Sequence, residues 1–585
     1  MNKKESSKRN NENGRYMVTI PIGSAIFTTI ATAILAVVTD YLTLPARTIH
    51  SSGYWWFWIF IGIASIVFSY IGNLLFNSVK DSYYGEREVK SWSVTIILVV
   101  IVSIGIIIFF LTSISGWKIA KANAYASLID IKEGNFETDI PQITNTAVIV
   151  DMKTAQKLGD RTIGTLQHAS WYEADDEYNL ISINGEKYRI SSIKYKGLLT
   201  YNRAKNEGIP GYILVNALTQ EATYMELPEA MKYAPSAFWK YDLCRHLRKQ
   251  YPNYLFGKSF FEVDDEFNPY WITNVRTCKI GMRGAPIATS IVITNAVTGE
   301  STEYNMDEIP DWVDHANSVD YLMTLVGWHY RYQEGWWNPS NTNMFRTSYS
   351  YRNGRRDENA YTPFEGYNSM LDKEGNIWFY TGITPANAAE TNVGFILTSP
   401  KSGEVRYYKC EGAEESSAQG AAEGLVQNLG YSASFPNIIN VEGVPTYFMV
   451  LKDDAGLVQR YALSSISQYQ KVVQSENIED AIRAYKSKIG LSDEVIEATD
   501  ANKSDDTAEY ETVSSSGIVK ELTEAQINGY TYYYFILEND EKMYMSSIVN
   551  SNWQPLKLKI GVKVEVDSYA DTQNNVQIVT KIDIQ

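Results

Sequence analysis

The sequence contains few of the residues that most often carry catalysis or bind transition metals. Its 585 residues include three cysteines and five histidines. The cysteines, Cys244, Cys278 and Cys410, form no C-x-x-C pair, and no histidine belongs to an H-E-x-x-H motif. These spacings exclude a zinc ribbon and a thioredoxin-type site. We therefore expect no cofactor, and the protein is predicted not to be an enzyme.

Short catalytic motifs are also missing. No G-x-S-x-G sequence occurs, and Gly257-Lys258-Ser259 lacks the upstream glycine of a phosphate-binding loop. Ser191 and Lys194 match S-x-x-K, but they fall on a predicted strand and have no S-D-N or K-T-G companion. We interpret that match as chance. A hydrolase of the cell envelope is kept only as a third functional hypothesis.

Basic residues are outnumbered by acidic ones after the amino-terminal segment. The chain carries 52 Lys and Arg against 68 Asp and Glu, a net charge of −16. Residues 1–116 have a net charge of +3, so the remainder carries −19. Because phosphate binding needs a basic surface, this balance argues against a nucleic-acid partner.

Charged side chains are absent from three long apolar runs, Met17–Val38, Tyr54–Phe76 and Val94–Ser115. Each run is close to the ~20 residues that cross a bilayer as a helix. A cleavable signal peptide is the alternative for the first run, which is longer than the usual apolar region of such a peptide. We predict a cytoplasmic tail at residues 1–16 and a three-span transmembrane anchor at residues 17–116, with the lipid bilayer as a partner.

The distribution of Lys and Arg predicts the orientation of the spans. The tail holds five of these residues and the loop between spans two and three holds three, whereas the first loop has only Arg47. Cytoplasmic loops carry more positive charge. We expect a multi-pass protein of the plasma membrane with a cytoplasmic amino terminus and a large extracellular carboxy-terminal region.

Small and polar residues form a stripe on one face of span two. Ser65, Ser69 and Asn73 recur every four residues, and Gly62 and Gly72 lie nearby. Such stripes favour helix–helix association in membranes. They could pack the spans of one chain or join spans of different chains. A passive pore also remains open, whereas the lack of intramembrane charge disfavours a transporter.

The region after the spans repeats a strand–turn–strand pattern. Two types of hairpin alternate, each with polar turn residues between runs of alternating apolar and polar side chains. The first type begins at Gly211, Ser290 and Val393. The second type begins at Ile181, Phe261, Met370 and Ile439. Asn184-Gly185, in the first hairpin of the second type, is the strongest turn signal.

Helical segments are predicted between the hairpins, at Glu229–Lys249, Asp311–Tyr332 and Ala413–Leu429. Pro228 and Pro310 stand just before the first two segments, a position typical of helix starts. The repeating unit is therefore predicted to be hairpin, helix, hairpin. We predict a repeated α+β region over residues 117–490.

This hairpin–helix combination resembles PepSY-like domains, which are small extracytoplasmic α+β units. Four segments also resemble a family of multi-span membrane proteins of Gram-positive bacteria that have a large extracytoplasmic domain of PepSY-like repeats. The segments are Gly208-IPGYILVN, Phe261-EVDDEFNPYWI, Gly412-AEESSAQGAAEGLVQNLGY and Val444-PTYFMVLKDDAGLVQRYAL. The resemblance covers about residues 120–490 and implies a fold and a location. It implies no catalytic residues.

The end of the chain has the composition of a linker followed by a small β module. Residues 493–517 contain eight Asp and Glu and one Lys, which is typical of a solvated linker. Strands are predicted at Tyr530–Leu537, Lys542–Ser547, Val562–Asp567 and Val576–Ile582. We predict an acidic linker at residues 491–516 and an OB-like β-barrel at residues 517–585.

Acidic residues cluster at Asp175-Asp176-Glu177, Asp264-Asp265-Glu266 and Asp453-Asp454. Each cluster falls at or beside a predicted turn, and none has the D-x-D-x-D-G spacing of a calcium loop. Turn chemistry explains them better, and opportunistic binding of Ca²⁺ stays open. The predicted topology places the cysteines outside the cell, so both a Cys244–Cys278 disulfide and buried free thiols are compatible with the sequence.

Aromatic side chains are concentrated in an insertion, Gly335–Pro363, that is not a predicted strand. It contains Trp336, Trp337, Tyr349, Tyr351 and Tyr361. Amphipathic rings with a polar tip favour contact surfaces. An interface at these five residues is one hypothesis. The preference of Tyr for strands explains most of the other tyrosines.

These features predict a non-enzymatic, membrane-anchored scaffold or assembly protein of the cell envelope. We expect it to be a homo-oligomer or to bind other envelope proteins, because repeated hairpins offer edge strands for association. The alternative is a receptor or regulator that binds a wall polymer, a peptide or a protease.

Overall fold

The structure is a computed structural model. It divides into two compact units, Met1–Ile496 and Glu497–Gln585. The described residues are 3–84, 93–142, 150–164, 169–333, 335–337, 345–347, 367–385, 391–491, 513–527, 530–538, 540, 542–547, 558–571 and 576–584.

Three long helices form the amino-terminal part of the first unit. They are α1 (Lys3–Thr43), α2 (Ser52–Tyr84) and α3 (Ser93–Ile114). The segments long and apolar enough to cross a membrane are Ile22–Thr43, Ser52–Leu75 and Val94–Ile114. Many of their large apolar side chains point away from the protein, and Val37 is 71% exposed. Such exposure on adjacent helices is expected in lipid rather than in water. The structure thus confirms three apolar helices that are long enough to cross a membrane, close to the three predicted runs.

Shorter helices follow in the first unit. The described ones are α4 (Lys118–Ala126), α5 (Phe136–Asp139), α6 (Met152–Ile163), α7 (Leu198–Ala204), α8 (Leu243–Gln250), α9 (Val319–Tyr332), α10 (Glu415–Leu425) and α11 (Ile478–Ile489). Polar side chains fix several starts: Asp151 accepts the backbone N–H of Thr154 before α6, and Ser318 accepts that of Tyr321 before α9. These bonds satisfy backbone donors that a helix start leaves free.

Four sheets make up most of the described β structure of this unit. A short strand, β1 (Ile131–Glu133), precedes them. The first sheet contains β2 (Tyr172–Ala174), β3 (Asn179–Ile183), β4 (Glu186–Tyr195), β5 (Ile209–Asn216) and β6 (Ala222–Met231). Its order is β2-β4-β5-β6, and β3 also pairs with β4. Between β3 and β4, Asn184 and Gly185 have φ of 50° and 86°, as a tight two-residue hairpin requires.

The other three sheets continue along the chain. The second sheet contains β7 (Leu255–Val263), β8 (Pro269–Ile280), β9 (Gly284–Asn295) and β10 (Ser301–Asn305). The third contains β11 (Phe345–Thr347), β12 (Asn368–Leu371), β13 (Ile377–Pro385), β14 (Thr391–Thr398) and β15 (Val405–Ala413). The fourth contains β16 (Ser432–Ala433), β17 (Asn437–Val441), β18 (Val444–Lys452), β19 (Val458–Ser465) and β20 (Val472–Ser475).

Pairing within these sheets is antiparallel, with one exception. The second sheet has the order β10-β9-β8-β7 and the fourth the order β16-β18-β19-β20, with β17 on β18. The third has the order β1-β15-β14-β13-β11, with β12 on β13. The exception is β1, which runs parallel to β15 and pairs Ile131 with Val405. The segment that follows the spans is thereby built into the third sheet.

Three hairpin turns share one hydrogen-bond pattern. In the β5–β6 turn, the backbone N–H of Gln220 donates to the carbonyl of Asn216, whose side chain accepts two further N–H groups of the turn. Asn295 makes the same bonds in the β9–β10 turn. Ser399 replaces the asparagine in the β14–β15 turn, where its hydroxyl accepts one N–H. The first predicted hairpin type therefore recurs with the same turn.

A second turn recurs around an aspartate. The carboxylate of Asp264 accepts the backbone N–H of Asn268 at 2.8 Å in the β7–β8 turn. Asp372 and Asn376 repeat this contact at 2.8 Å in the β12–β13 turn, and Asp453 makes it at 2.9 Å in the β18–β19 turn. Two of the acidic clusters thus supply the carboxylates that close hairpins, which is what their turn positions predicted.

Two predicted helix starts are wrong. Pro228 lies within β6, at an edge of the first sheet where the pairing with β5 is irregular. An edge strand tolerates proline because the missing N–H would face away from the sheet. The following helix, α8, begins only at Leu243. Pro310 precedes a turn, and the helix after it begins at Val319 because Ser318 provides the cap.

The turn between β8 and β9 contacts the ends of the spans. The guanidinium of Arg283 donates to the hydroxyl of Thr112 at 2.8 Å and lies 4.3 Å from the centre of the Phe109 ring. The backbone N–H of Met282 donates to the hydroxyl of Ser115 at 3.0 Å. The second sheet is therefore packed directly on α3 rather than tethered to it by a free linker.

The second unit is a closed barrel of five strands. They are β21 (Val513–Ile527), β22 (Tyr530–Leu537), β23 (Met543–Ser547), β24 (Lys563–Asp571) and β25 (Val576–Ile584). Their order around the barrel is β21-β22-β23-β25-β24. Buried side chains such as Phe535, Val564 and Val566 fill its interior. Because β21 begins at Val513, the barrel starts before the predicted boundary at residue 517, and most of the predicted linker lies outside the described residues.

Candidate functional site

The predicted helix-packing residues of α2 contact α1 and α3 of the same chain. Asn73 accepts a hydrogen bond from the Ser24 hydroxyl at 2.9 Å and donates to the Thr95 hydroxyl at 3.0 Å. Ser69 shares a hydrogen bond of 2.9 Å with Thr95. These four side chains therefore form one polar network that joins the three spans.

The remaining members of the stripe also face other spans. Ser65 accepts a hydrogen bond from Thr32 at 3.2 Å. A Cβ added at Gly62 would lie 2.6 Å from Val102, and one added at Gly72 would lie 2.9 Å from a side chain of α1. The two glycines allow close approach of the helices. Of the two alternatives for this stripe, the contacts support packing within one chain.

The predicted aromatic interface is only partly described. Trp336 stacks on Tyr332 with ring centres 5.6 Å apart. The neighbouring Trp337 is 81% exposed. Tyr349, Tyr351 and Tyr361 lie outside the described residues, so an interface at these five positions stays a prediction.

The cysteines and histidines of the described part of the chain do not come together in a metal-binding group. Cys244, Cys278 and Cys410 are all free, so the Cys244–Cys278 disulfide is not formed in the structure. Burial raises the pKa of Cys410 to about 11, which keeps its thiol protonated at neutral pH. His246 lies on α8 as predicted, but His315 lies before α9, not on a helix. Among the described residues, no group of three His, Cys, Asp or Glu could hold a metal ion.

A cavity of about 640 Å³ lies where the four sheets of the first unit meet. Its walls come from β3 and β4 of the first sheet, β7 of the second, β12 and β13 of the third, and β16 and β18 of the fourth. The first residues of α6 and α9 complete the lining, together with Gln419 and Glu423 of α10. The volume is within the range of small-molecule sites, which is about 300–1,000 Å³.

Arg189 is the most unusual residue of this cavity. It lies on β4, is only 2% exposed and lines the cavity. Its Nε donates to the carbonyl of Val150 at 3.0 Å and its Nη1 to the carbonyl of Tyr178 at 3.4 Å. Among the described residues, no carboxylate lies within 4 Å of its guanidinium. Burial lowers the pKa of Arg189 to about 10, partly offset by the charge of Asp151, so the side chain remains positive at neutral pH.

Several other charges in the cavity walls are paired. Lys452 of β18 forms a largely buried ion pair with Asp151, the residue that caps α6. Although burial alone would raise it, the Lys452 ammonium and the N–H of Thr154 hold the pKa of Asp151 below its ordinary value. Lys258 of β7 pairs with Glu177 at 2.6 Å. These contacts neutralise charges that would otherwise be free to compensate Arg189.

Two helices begin at the cavity. Its lining includes Asp151, Met152 and Lys153 at the start of α6, and Ser318, Val319 and Asp320 at the start of α9. The amino end of a helix carries a partial positive charge from its aligned peptide dipoles. The carboxylates of Asp151, which caps α6, and of Asp320, in the first turn of α9, offset part of this charge.

A buried acid–imidazole pair stands in the wall. The carboxylate of Glu262 accepts hydrogen bonds from the backbone N–H of Asp314 and His315 and contacts the imidazole Nδ1 of His315 at 2.9 Å. Burial and the adjacent Glu262 raise the pKa of Asp314 to about 7. The carboxylate of Asp314 accepts a hydrogen bond from the backbone N–H of Ser182 on β3 at 2.7 Å. Glu262 and Asp314 together therefore link the second sheet to the first.

Asp175, Asp176 and Glu423 also line the cavity; Asp176 pairs with Lys194 at 2.9 Å, and Glu423 accepts a hydrogen bond from the backbone N–H of Ala433. Uncharged side chains supply much of the remaining lining. Aromatic rings come from Phe260, Phe379, Phe435 and Tyr367, and amide groups come from Asn179, Asn368 and Gln419. Such a mixture of flat apolar faces and amides suits a small organic molecule with a polar body.

Sequence reasoning missed this site. The only local signal is Arg189 itself. It is a charged residue next to Ile190 on β4, a strand in which most of the nearby residues are almost fully buried. A charge on such a strand is a candidate functional residue, because an isolated buried charge is costly. The partners of Arg189 in the cavity come from segments far apart in the chain, and no spacing rule joins them.

Comparison with known proteins gives no match. No family model, no curated protein and no solved structure matches the chain.

Proposed function

We propose that the protein is a membrane-anchored receptor that binds a small organic molecule in the cavity at the junction of its four sheets. The observation that carries this proposal is the cavity, which is lined by a buried, positively charged Arg189 and by aromatic and amide side chains. Sites that bind small ligands combine a concave apolar surface with a few fixed polar groups in this way. The absence of catalytic motifs from the sequence favours binding over catalysis.

The proposed setting is the outer face of the plasma membrane of a Gram-positive bacterium. The excess of Lys and Arg before span one and between spans two and three supports a cytoplasmic amino terminus. In this orientation the four sheets and the barrel lie outside the cell. Their ligand would be a soluble component of the envelope, such as a fragment of a wall polymer.

We also propose family-level identities for the two β regions. The four sheets, with helices α8, α9 and α10 between them, support PepSY-like repeats. An OB-type barrel is supported by the closed order of the five strands and by the parallel pairing of β23 with β25.

A scaffold that assembles into oligomers is the second candidate. The exposed ring of Trp337 favours it, because a large exposed aromatic side chain is typical of a contact surface. The stripe on α2 no longer supports it, since those residues contact spans of the same chain. The mass of the detergent-solubilised protein tests this candidate, and a clean monomer would contradict it.

The receptor proposal is tested by filling the cavity. Asn179 lines it, and Asn179→Trp would place an indole within the space. The full-length protein in detergent is dialysed against a small-molecule extract of Gram-positive cells, and the retained compounds are identified by mass spectrometry. We expect the wild type and the control Lys205→Trp, an exposed site at the end of α7, to retain a compound that Asn179→Trp does not retain. If no compound is retained, or if all three proteins retain the same one, the proposal is wrong.

A further inference from the structure

The side chain of Arg189 has an arrangement that a purely structural role does not explain. A buried guanidinium usually pairs with a carboxylate, because moving an unpaired charge out of water is energetically costly. Among the described residues, Arg189 has only two backbone carbonyls as hydrogen-bond partners. A guanidinium has five N–H donors. Some N–H groups of Arg189 are therefore not bonded to Val150 or Tyr178, and this side chain lines the cavity.

The two carbonyls also fix the direction of the guanidinium. Val150 immediately precedes the cap of α6, and Tyr178 immediately precedes β3, so both acceptors belong to ordered segments of the wall. Arg189 itself pairs with Leu180 on β3 and Val215 on β5 in the middle of the first sheet. A guanidinium held in this way loses little further freedom when it binds a ligand, which favours a planar, two-point partner.

The surrounding charges leave the positive potential of Arg189 in place. Asp151, whose charge acts on Arg189, is bound by Lys452, Glu177 is bound by Lys258, and Asp176 is bound by Lys194. Asp175 and Glu423, which also line the cavity, each accept a hydrogen bond from a backbone N–H of the wall. The amino ends of α6 and α9 add partial positive charge to the same space. These helices have 12 and 14 residues, so each is long enough to have a substantial dipole. Asp151 caps α6 and Asp320 lies in the first turn of α9, so each of these helix ends also carries a carboxylate. The positive potential of the site therefore rests on the guanidinium of Arg189, which has no ion-pair partner among the described residues.

We propose that Arg189 binds an oxyanion, a carboxylate or a phosphate, of the small molecule that occupies this cavity. The inference rests on the proposed receptor function and names the chemistry of its ligand. Both oxyanions match the planar fork of a guanidinium through two parallel hydrogen bonds. The remainder of the ligand contacts the aromatic rings of Phe260 and Phe379 and the amides of Asn179 and Asn368, which suits a polar body attached to the acid.

The test uses two small probes, sodium acetate and inorganic phosphate, with the full-length protein in detergent at constant ionic strength. Ligand-observed NMR follows the methyl ¹H signal of acetate and the ³¹P signal of phosphate. We expect at least one signal to broaden with the wild type. Arg189→Met should weaken this binding tenfold or more, and Arg189→Lys about threefold, because lysine keeps the charge but lacks the fork. Arg161→Met, an exposed position on α6, is the matched control and should bind like the wild type.

The two probes distinguish the two acids. Broadening of acetate alone assigns a carboxylate, and broadening of phosphate alone assigns a phosphate. Arg189→Lys covers the case in which Arg189→Met does not fold, as judged by circular dichroism. Equal binding by the wild type and the Arg189 variants overturns the inference, and so does the absence of broadening with both probes.

Failure of this inference is distinct from failure of the receptor proposal. If dialysis yields a neutral compound that the wild type and Arg189→Lys retain equally but Asn179→Trp does not, the receptor function stands and the oxyanion is wrong. If the probes bind at Arg189 but no compound is retained on dialysis, the oxyanion site stands and the receptor proposal is wrong.

Discussion

The polar side chains buried between the spans and those that line the cavity are satisfied in different ways. In the spans, Ser69, Asn73 and Thr95 hydrogen-bond to one another across helices. In the cavity, Arg189 is held by two carbonyls and faces open space. Side chains that hydrogen-bond to one another within the chain hold its helices together. A charged side chain beside a cavity is available to a ligand. The comparison favours a structural role for the polar residues of the spans and supports the binding role that we propose for the junction of the sheets.

The largest expected effect comes from breaking the ion pair in the cavity wall. Lys452→Met leaves the carboxylate of Asp151 without its cation in a largely buried position. We expect the free energy of unfolding to fall by about 3–5 kcal/mol, the usual cost of leaving a buried charge unpaired. Denaturant unfolding in detergent measures this loss. The double variant Asp151→Asn/Lys452→Met should recover part of the stability, and a double variant as unstable as the single one would contradict the assignment.

A smaller loss is expected in the spans. Asn73→Leu removes the hydrogen bonds to Ser24 and Thr95. Hydrogen bonds between membrane helices contribute about 0.6–2 kcal/mol each, so we expect a loss of about 1–2 kcal/mol in the same measurement. Leu74→Ala, at an exposed neighbouring position, is the control and should have little effect. If Asn73→Leu instead dissociates an oligomer without changing stability, the stripe joins different chains and the comparison fails.

Asp314, which lies beside Glu262 and His315 in the wall of the cavity, should make the free energy of unfolding depend on pH. Because the pKa of Asp314 is raised to about 7, the folded protein holds this proton more tightly than the unfolded chain does. This contribution to stability is complete below the unfolded value of about pH 4 and is lost as the pH rises to about 7. Four groups face the carboxyl of Asp314. They are Glu262 of β7, the adjacent His315, Lys187 of β4 and the backbone N–H of Ser182 on β3.

Asp314→Asn removes this titration. We expect the variant to show a flatter dependence of unfolding free energy on pH between about 4 and 7, and to gain stability relative to the wild type at pH 8. Chemical denaturation at several pH values measures both effects. Asp311→Asn, an exposed carboxylate on the same loop, serves as the matched control and should follow the wild type. Equal slopes for the wild type and Asp314→Asn would show that the carboxyl titrates normally.

The smallest expected effect concerns the contact between Thr32 and Ser65, which lies between α1 and α2 outside the network of Ser24, Ser69, Asn73 and Thr95. Thr32→Val removes one hydrogen bond of 3.2 Å to Ser65, which also donates to a carbonyl of its own helix. We expect a loss of about 0.5 kcal/mol, at the low end for hydrogen bonds between membrane helices. A loss as large as that of Asn73→Leu would show that this contact and the network form one cooperative unit rather than a set of separate contacts.

The spans and the hairpins could be predicted because their signals are local. An apolar run predicts a helix over the same residues, and Asn184-Gly185 predicts a turn at those two positions. The helix start at Pro228 could not be placed, because only the position of β6 at the edge of a sheet makes proline tolerable there. The cavity could not be predicted for a similar reason: Asp151, Arg189 and Lys452 come from distant segments and line one cavity only after the first and fourth sheets have packed together.

The pairing of β1 with β15 has a consequence for biosynthesis. Asp139, soon after β1, accepts a hydrogen bond from Tyr408 on β15, which lies 269 residues later in the chain. Contacts of such long sequence separation form late and slow folding. The segment next to the spans must therefore wait, unpaired, until most of the following chain has left the ribosome. During that interval the edge of β1 is not yet covered by β15, and its length of only three residues limits its association with other chains.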